Sequence, residues 1–131
     1  MLIDKSLLDG ICKRAKASER LRMNYNLHKS LNESVQRLIN AVEPGTKLPI
    51  HRHREADETC IILRGCIDII FYDDEAKETQ RIHLNHESNV YGVHIPKGQW
   101  HSLESRQSDS ALISIKEGPY KPICDKDILV K

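Results

Sequence analysis

The spacing of hydrophobic residues changes near residue 20. Between residues 4 and 19, Leu7, Ile11 and Ala15 recur at the three- and four-residue spacing of one helical face. Asp4 precedes this stretch and is a suitable N-cap, because its carboxylate can accept hydrogen bonds from the free N–H groups of the first turn. The pattern predicts a short N-terminal helix over residues 4–19.

Residues 20–28 alternate strictly between apolar and polar side chains. Nine residues of period two predict a half-buried β-strand. Its polar face carries two guanidinium groups, two amides and one imidazole. A solvated sheet edge would explain this face, and so would a polar row turned toward a ligand cavity or a partner subunit.

From residue 35 the chain is a series of short apolar segments separated by turn residues. The predicted strands are 35–42, 48–53, 58–65, 66–73, 79–84, 89–96, 99–105 and 110–118. Strands at this spacing are typical of an all-β sandwich or barrel. Pro119 and Pro122 interrupt pairing in the tail. We therefore expect one domain over residues 1–131, with a helix (1–19), a β-barrel (20–118) and an irregular tail (119–131).

Composition and charge exclude several classes of partner. The net charge is +1, and neither a basic stripe nor a helix-turn-helix pattern is present, which argues against nucleic acid. No apolar run approaches the ~20 residues of a membrane span, and the first residues lack the hydrophobic region of a signal peptide. The four cysteines form no C-x-x-C pair, as expected for reduced thiols in a cytoplasmic protein.

The stretch HRHREADE, residues 51–58, contains two histidines one residue apart. On a strand, His51 and His53 point to the same face and can reach one metal ion, whereas on a helix they would diverge by about 200°. Such a pair also occurs by chance on protein surfaces. The three acids that follow leave the choice of an oxygen ligand open.

A longer pattern includes this pair. Gly45-x5-His51-x-His53-x4-Glu58-x6-Gly65 resembles the first sequence motif of the cupin superfamily, and P-x-G-x-x-H at 96–101 resembles the second. The match departs from the usual pattern at two positions that are not ligands: Gly92 is closer to Pro96 than is usual, and Ser105 replaces an often-found asparagine.

The cupin resemblance implies a fold and a ligand set. The fold would be the all-β cupin barrel (a double-stranded β-helix, or jelly roll) with a short N-terminal helix. The ligands of one divalent transition metal (iron, manganese, nickel or zinc) would be His51, His53, Glu58 and His101. Glu55 and Asp57 would face water, because only Glu58 has the cupin spacing to the glycine.

The whole chain also resembles the WbuC-like cupin-fold metalloproteins of bacteria. The resemblance rests on R-x-N-x-N-x-H at 22–28, VQRLINA at 35–41, P-x-H-R-H at 49–53, G-x-x-x-P-x-G-x-W-H at 92–101 and K-x-G-P-Y-x-P at 116–122. Proteins of this kind are often encoded with surface-polysaccharide (O-antigen) genes, which implies a sugar or sugar nucleotide as ligand. A lone cupin domain of this kind also implies a homodimer.

This resemblance adds weight to the polar row as a ligand site. Guanidinium and amide groups suit diphosphates and sugar hydroxyls. The expected substrate-binding residues are Arg22, Asn24, Asn26, His28 and Lys116.

Three functions fit these expectations. The first is a metal-dependent sugar isomerase or epimerase, with the metal as Lewis acid and His94 or Tyr120 as proton carrier. The second is an iron-dependent oxygenase, which the ligand set permits. The third is a non-catalytic, metal-dependent sugar-binding or regulatory module.

Overall fold

One helix and a series of short strands make up the chain. The computed structural model describes residues 1–129. The helix, α1, spans Lys5–Ala17. The strands are β1 Arg22–Asn26, β2 Val35–Val42, β3 Ile50–His51, β4 Glu58–Arg64, β5 Ile67–Tyr72, β6 Glu78–Leu84, β7 Gly92–Ile95, β8 Trp100–Ser105, β9 Ser110–Glu117 and β10 Ile128–Leu129.

The strands form two five-stranded antiparallel sheets. The first sheet has the order β1-β2-β9-β4-β7 and the second has the order β10-β3-β8-β5-β6. Strands β2 and β9 are far apart in sequence and pair along eight positions. The expected all-β barrel with a short N-terminal helix is confirmed. No helix in residues 1–129 is both long and apolar enough to cross a membrane.

Strand register identifies the inner face of the first sheet. Cα partners in a sheet present their side chains to the same face. Cys60 pairs with Ser114, and Ile62 pairs with Leu112. These positions pack into a buried cluster with residues of the second sheet, so they face the interior of the barrel. The cluster comprises Cys60, Ile62, Ile67, Ile69, Leu84, Ile95 and Leu112.

The outer face of the first sheet is partly covered by α1. The Asp4 carboxylate caps the helix by accepting a hydrogen bond of 3.0 Å from the Leu7 N–H. Ile11 and Ala15 are fully buried against Ile39 and Ala41 of β2. The apolar positions that predict the helix are therefore the ones that attach it to the barrel.

The tail is more regular than the sequence analysis predicted. Ile128 and Leu129 form β10 and pair with β3, with Ile128 opposite His51. Arg52 and Arg54 attach the segment before β10 to the barrel by binding the Asp127 carboxylate. The prediction of an irregular tail was wrong at this point, because the two prolines interrupt pairing only locally. The last two residues of the predicted tail lie outside the described part.

Candidate metal centre

Three histidines meet at one end of the barrel interior. His51 on β3 is the register partner of His101 on β8, so their side chains share a face. Their ring centroids are 4.3 Å apart, and the ring of His53 lies 5.2 and 5.7 Å from them. One nitrogen from each ring lies within 4.8 Å of the other two. The H-x-H pair and the second-motif histidine therefore come together, as the sequence predicted.

Backbone carbonyls orient two of these rings. The Nδ1 atom of His51 is 3.1 Å from the Pro49 carbonyl, and that of His101 is 2.9 Å from the Gln99 carbonyl. A carbonyl only accepts hydrogen bonds, so each Nδ1 carries the proton and donates it. Each Nε2 then keeps its lone pair free, which is the usual arrangement of a metal-binding histidine.

Glu58 approaches the histidines from the opposite sheet. Its Oε1 atom lies 3.4 Å from Nε2 of His53 and 3.6 Å from Nε2 of His101. The other oxygen, Oε2, accepts hydrogen bonds from the Ser114 hydroxyl at 2.6 Å and the Cys60 thiol at 3.5 Å. These two donors hold the carboxylate in one orientation, with Oε1 aimed at the imidazoles.

The Oε1 atom of Glu58 is the clearest sign of a missing positive charge. It is buried and has no hydrogen-bond partner among residues 1–129. A buried, unpaired carboxylate oxygen is costly unless a cation or a donor satisfies it. The three imidazole nitrogens, with the Glu58 oxygen close to two of them, fit a divalent transition metal with positions left for a ligand.

The imidazole of His51 and the carboxyl group of Glu58 are in the protonation states that a metal requires of its ligands. Burial, and then the neighbouring His101, lower the pKa of His51 to about 4. Burial alone would raise the pKa of Glu58, but contacts with His101, His53 and Ser114 bring it well below its usual value. A neutral imidazole and an ionised carboxylate are the ligand forms at neutral pH.

Cys60 and Ser114 both contact Glu58, and Ser114 is the contact that sequence reasoning missed. Cys60 is 2% exposed, and its thiol contacts Glu58. Burial raises the pKa of this thiol well above its usual value, which keeps it protonated as a donor. Alternation along β9, where Ser114 is polar between Ile113 and Ile115, was a signal that could have revealed the serine.

The other two acids of the HRHREADE stretch lie outside the cluster. Glu55 binds Lys121, and the Asp57 carboxylate accepts a hydrogen bond of 2.8 Å from the Lys97 N–H. Neither carboxylate has a contact with the three histidines. The structure therefore brings Glu58, and not its two acidic neighbours, to the imidazoles.

The two predicted proton carriers are not brought to the histidines. His94 is the register partner of Thr59, next to Glu58 along β4, so it points to the outer face of the sheet, where it is exposed. Tyr120 lies in the tail and is 44% exposed. His94 points outward because side chains alternate between faces along β7.

Residues 22, 24 and 26 of the polar row lie on the same side of the sheet as Glu58, but at its far edge, where Asn24 and Asn26 are exposed to solvent. Asn24 pairs with Asn40 of β2, on the same face as Glu58. Two strands separate β1 from β4, which is about 14 Å at the usual strand spacing. Arg22 donates to the Lys47 carbonyl, and His28 binds the backbone of Arg37 through Nδ1. The row is therefore not part of the histidine cluster.

Lys116 is the predicted substrate-binding residue that lies beside the cluster. Its register partner on β4 is Glu58, and its partner on β2 is Gln36. It is half-buried and presents its side chain to the inner face. Of the five predicted substrate-binding residues, it is the direct neighbour of a candidate metal ligand.

Solved structures of other proteins share this fold at low sequence identity. KdgF from Halomonas sp. is 14% identical, with a TM-score of 0.58 over 76% of this chain and 82% of that one. A cupin 2 domain-containing protein from Halorhodospira halophila is 15% identical, with a TM-score of 0.61 over 79% of this chain and 68% of that one.

A third similar structure belongs to a longer protein. The capsular polysaccharide assembling protein CapF from Staphylococcus aureus is 21% identical, with a TM-score of 0.58 over 76% of this chain. The match covers 28% of CapF. These likenesses confirm the cupin fold.

A family model matches more than half of the chain. The model is described as Domain of unknown function (DUF6016), and it matches residues 3–84, from the helix to the end of β6. No curated protein matches this sequence. The chain therefore belongs to the DUF6016 family, and it has the fold of a cupin.

Proposed function

We propose that this protein is a metal-binding cupin that acts on, or binds, a sugar or sugar nucleotide. His51, His53, Glu58 and His101 would hold one divalent metal. The observation that carries the proposal is the buried, unpartnered Oε1 of Glu58 directed at Nε2 of His53 and His101. A metal bound at this position would act as a Lewis acid on a carbonyl or hydroxyl oxygen of the ligand.

The residues around the cluster have defined roles in this proposal. Pro49 and Gln99 fix the proton on Nδ1 of two histidines, and Ser114 and Cys60 hold the Glu58 carboxylate. The apolar core beyond Cys60 limits water at the inner side of the site. A ligand would therefore meet a preorganised set of donors, which reduces the reorganisation needed on binding.

The sugar class rests on two kinds of support. The sequence resembles WbuC-like cupins, which are often encoded with O-antigen genes. The name of CapF, one of the similar structures, refers to capsular polysaccharide assembly. A role in bacterial surface-polysaccharide synthesis fits both.

A non-catalytic sugar-binding or regulatory module is the second candidate. The observation in its favour is the position of the expected proton carriers, because His94 is exposed on the outer face and Tyr120 is exposed in the tail. In this case the metal would anchor a ligand hydroxyl, and no turnover would be seen.

Three further expectations remain predictions: a single domain over residues 1–131, a homodimer and a cytoplasmic location. Light scattering of the purified protein tests the dimer, and a monomer would contradict it.

Metal analysis of purified protein tests the metal centre. We expect about one divalent metal per chain in the wild type and little in His101→Ala or Glu58→Gln. His94→Ala is the matched control, because it removes an exposed imidazole from the outer face of the same barrel. Equal metal content in all four proteins would contradict the proposed ligand set.

The next measurement separates the functional alternatives. Turnover of a sugar nucleotide without oxygen uptake would support an isomerase or epimerase, whereas substrate-dependent oxygen uptake by the iron form would support an oxygenase. Saturable ligand binding without turnover would support the binding module.

A further inference from the structure

A cavity of about 330 Å³ adjoins the histidine cluster. One wall is the segment after β3, residues 52–56, and the other is the tail after β9, residues 118–127. His53 belongs both to the cluster and to the cavity wall. A small molecule in this cavity would therefore lie next to a candidate metal ligand.

The cavity lining has an excess of positive charge. It contains five cationic side chains and three carboxylates, which leaves a net charge of +2 with His53 neutral. The cations are Arg52, Arg54, Lys116, Lys121 and Lys126. The carboxylates are Glu55, Glu117 and Asp127.

Three of the cations are already paired within the lining. Both guanidinium groups, of Arg52 and Arg54, bind the carboxylate of Asp127, and the ammonium group of Lys121 binds Glu55. These contacts attach the tail to the segment after β3. They account for the shape of the cavity and leave these groups less available to a ligand.

Lys116 differs from these paired cations. Within residues 1–129, its ammonium group has neither an ion pair nor a hydrogen bond, although the residue is half-buried. Its side chain belongs to the cavity wall and its ammonium group still reaches solvent, so the charge is open to an anion that enters the cavity. Lys126 is also unpaired among the described residues, but it is exposed, and only Lys116 is the register partner of the candidate ligand Glu58. Lys116 is thus the group that an incoming anion would satisfy.

We propose that this cavity binds the anionic group of the ligand, a carboxylate or a phosphoryl group, on the ammonium group of Lys116. The inference rests on the proposed metal function, because it places the rest of the ligand toward His53 and the metal. A metal ion and a lysine on either side of the ligand would fix its orientation, since each binds a different oxygen.

The cavity volume narrows the class of ligand further. Small-molecule pockets usually measure ~300–1,000 Å³, and 330 Å³ is at the lower end of that range. The cavity suits a single acidic or phosphorylated sugar unit. A complete sugar nucleotide would extend beyond it into solvent.

Anion titration of the metal-free protein tests this site independently of the metal. Inorganic phosphate and acetate are the probes, added at constant ionic strength after chelation and dialysis, with binding followed by NMR at the backbone amides of residues 116–118. We expect saturable shifts with at least one anion, and the stronger of the two identifies the ligand as phosphoryl or carboxylate. The absence of saturable shifts with both would overturn the proposal.

Substitutions assign the binding to Lys116. Lys116→Met should weaken anion binding about fivefold or more, because a charge-assisted hydrogen bond is lost. Lys116→Arg should restore most of it. Lys77→Met is the matched control, since it removes an exposed lysine in the β5–β6 connection, and it should stay within about twofold of the wild type. An unchanged affinity in Lys116→Met, with a wild-type NMR spectrum elsewhere, would also overturn the proposal.

Metal content, measured on the purified protein before chelation and again after zinc is added back, separates the two proposals. Anion binding by a protein that never takes up metal would leave the Lys116 site standing and contradict the metal centre. Metal uptake with no anion binding to the metal-free form would contradict the Lys116 site alone. Anion binding that requires zinc and is unaffected by Lys116→Met would place the anion on the metal.

Discussion

The two ends of the barrel interior are built by the same strands and have opposite character. Along β4, the inward residues run from Glu58 through Cys60 to Ile62, and along β9 they run from Lys116 through Ser114 to Leu112. Ile62 and Leu112 are 1% exposed. Each strand thus changes from a polar site to an apolar core within two inward positions.

The difference shows how the fold accommodates a costly site. Each fully buried isoleucine or leucine contributes ~1.5–3 kcal/mol relative to an exposed one. Burial of apolar side chains at one end therefore offsets the cost of the other end. There, Oε1 of Glu58 and the ammonium group of Lys116 have no partner among residues 1–129. Substitutions at the apolar end should change stability, and those at the polar end should change binding.

The largest effect should follow truncation at the apolar end. Leu112→Ala should lower the free energy of unfolding by about 2–5 kcal/mol, because it leaves a cavity in a closely packed cluster. Urea denaturation measures the loss. Ile61→Ala is the control, because its side chain is 39% exposed on the outer face of β4, and it should cost less than about 1 kcal/mol. The metal content of folded Leu112→Ala should remain that of the wild type.

The second effect concerns metal-induced stabilisation at the polar end. In the wild type, zinc at 100 times its Kd should raise the free energy of unfolding by about 2.7 kcal/mol. Glu58→Gln should lose most of this gain, while its metal-free stability stays close to that of the wild type. Thermal unfolding with and without zinc measures both quantities. A similar gain from zinc in the two proteins would show that Glu58 is not a ligand.

A smaller effect should follow removal of the hydroxyl that orients Glu58. Ser114→Ala should weaken zinc binding by about 10–100-fold, because groups that orient a ligand usually contribute that much. Ser105→Ala is the matched control, since that buried hydroxyl donates to the Gln107 carbonyl at the end of β8 away from His101. Competition with a chromophoric chelator measures the affinities. Equal losses in both variants would indicate a general effect on the barrel.

The smallest effect should come from the tail that closes the polar end. Burial alone would raise the pKa of Asp127, but Arg54, Arg52 and Cys124 lower it from 3.8 to about 2. A carboxyl with a lowered pKa stabilises the fold fully above pH 3.8, and this contribution is lost as the pH falls toward 2.

The difference in unfolding free energy between wild type and Asp127→Asn should therefore shrink as the pH falls from 5 to 2. Urea denaturation across this range measures it. Asp125→Asn, at an exposed neighbouring position, is the control and should show a smaller difference at pH 5. A difference between wild type and Asp127→Asn that stays constant with pH would mean that the two arginines do not stabilise the ionised carboxylate.

Local periodicity predicted which face of a strand a side chain occupies better than it predicted which strands pair with each other. Strict alternation over 20–28 predicted a strand, and β1 lies within those bounds. His51 and His53 do come together, although the strand that the i, i+2 rule assumes ends at His51. The cupin spacing, a family pattern, was needed to single out Glu58 and His101, because β8 pairs with β3 from a distant part of the sequence and β4 belongs to the other sheet.

Contacts between distant segments were the part that the sequence could not predict. The pairing of β10 with β3 depends on the return of the tail, which Arg52 and Arg54 secure through Asp127. The outward direction of His94 depends on the register of β7 with β4. That Lys116 forms no ion pair among residues 1–129, although Glu58 is its register partner, depends on how the fold directs the two side chains.

X-ray diffraction from crystals of the zinc-loaded protein, collected at the zinc absorption edge, tests the central claim most directly. The account predicts one anomalous peak between the two sheets, about 2.0–2.2 Å from Nε2 of His51, His53 and His101 and from Oε1 of Glu58. An anomalous peak elsewhere, or none among these four residues, would contradict it.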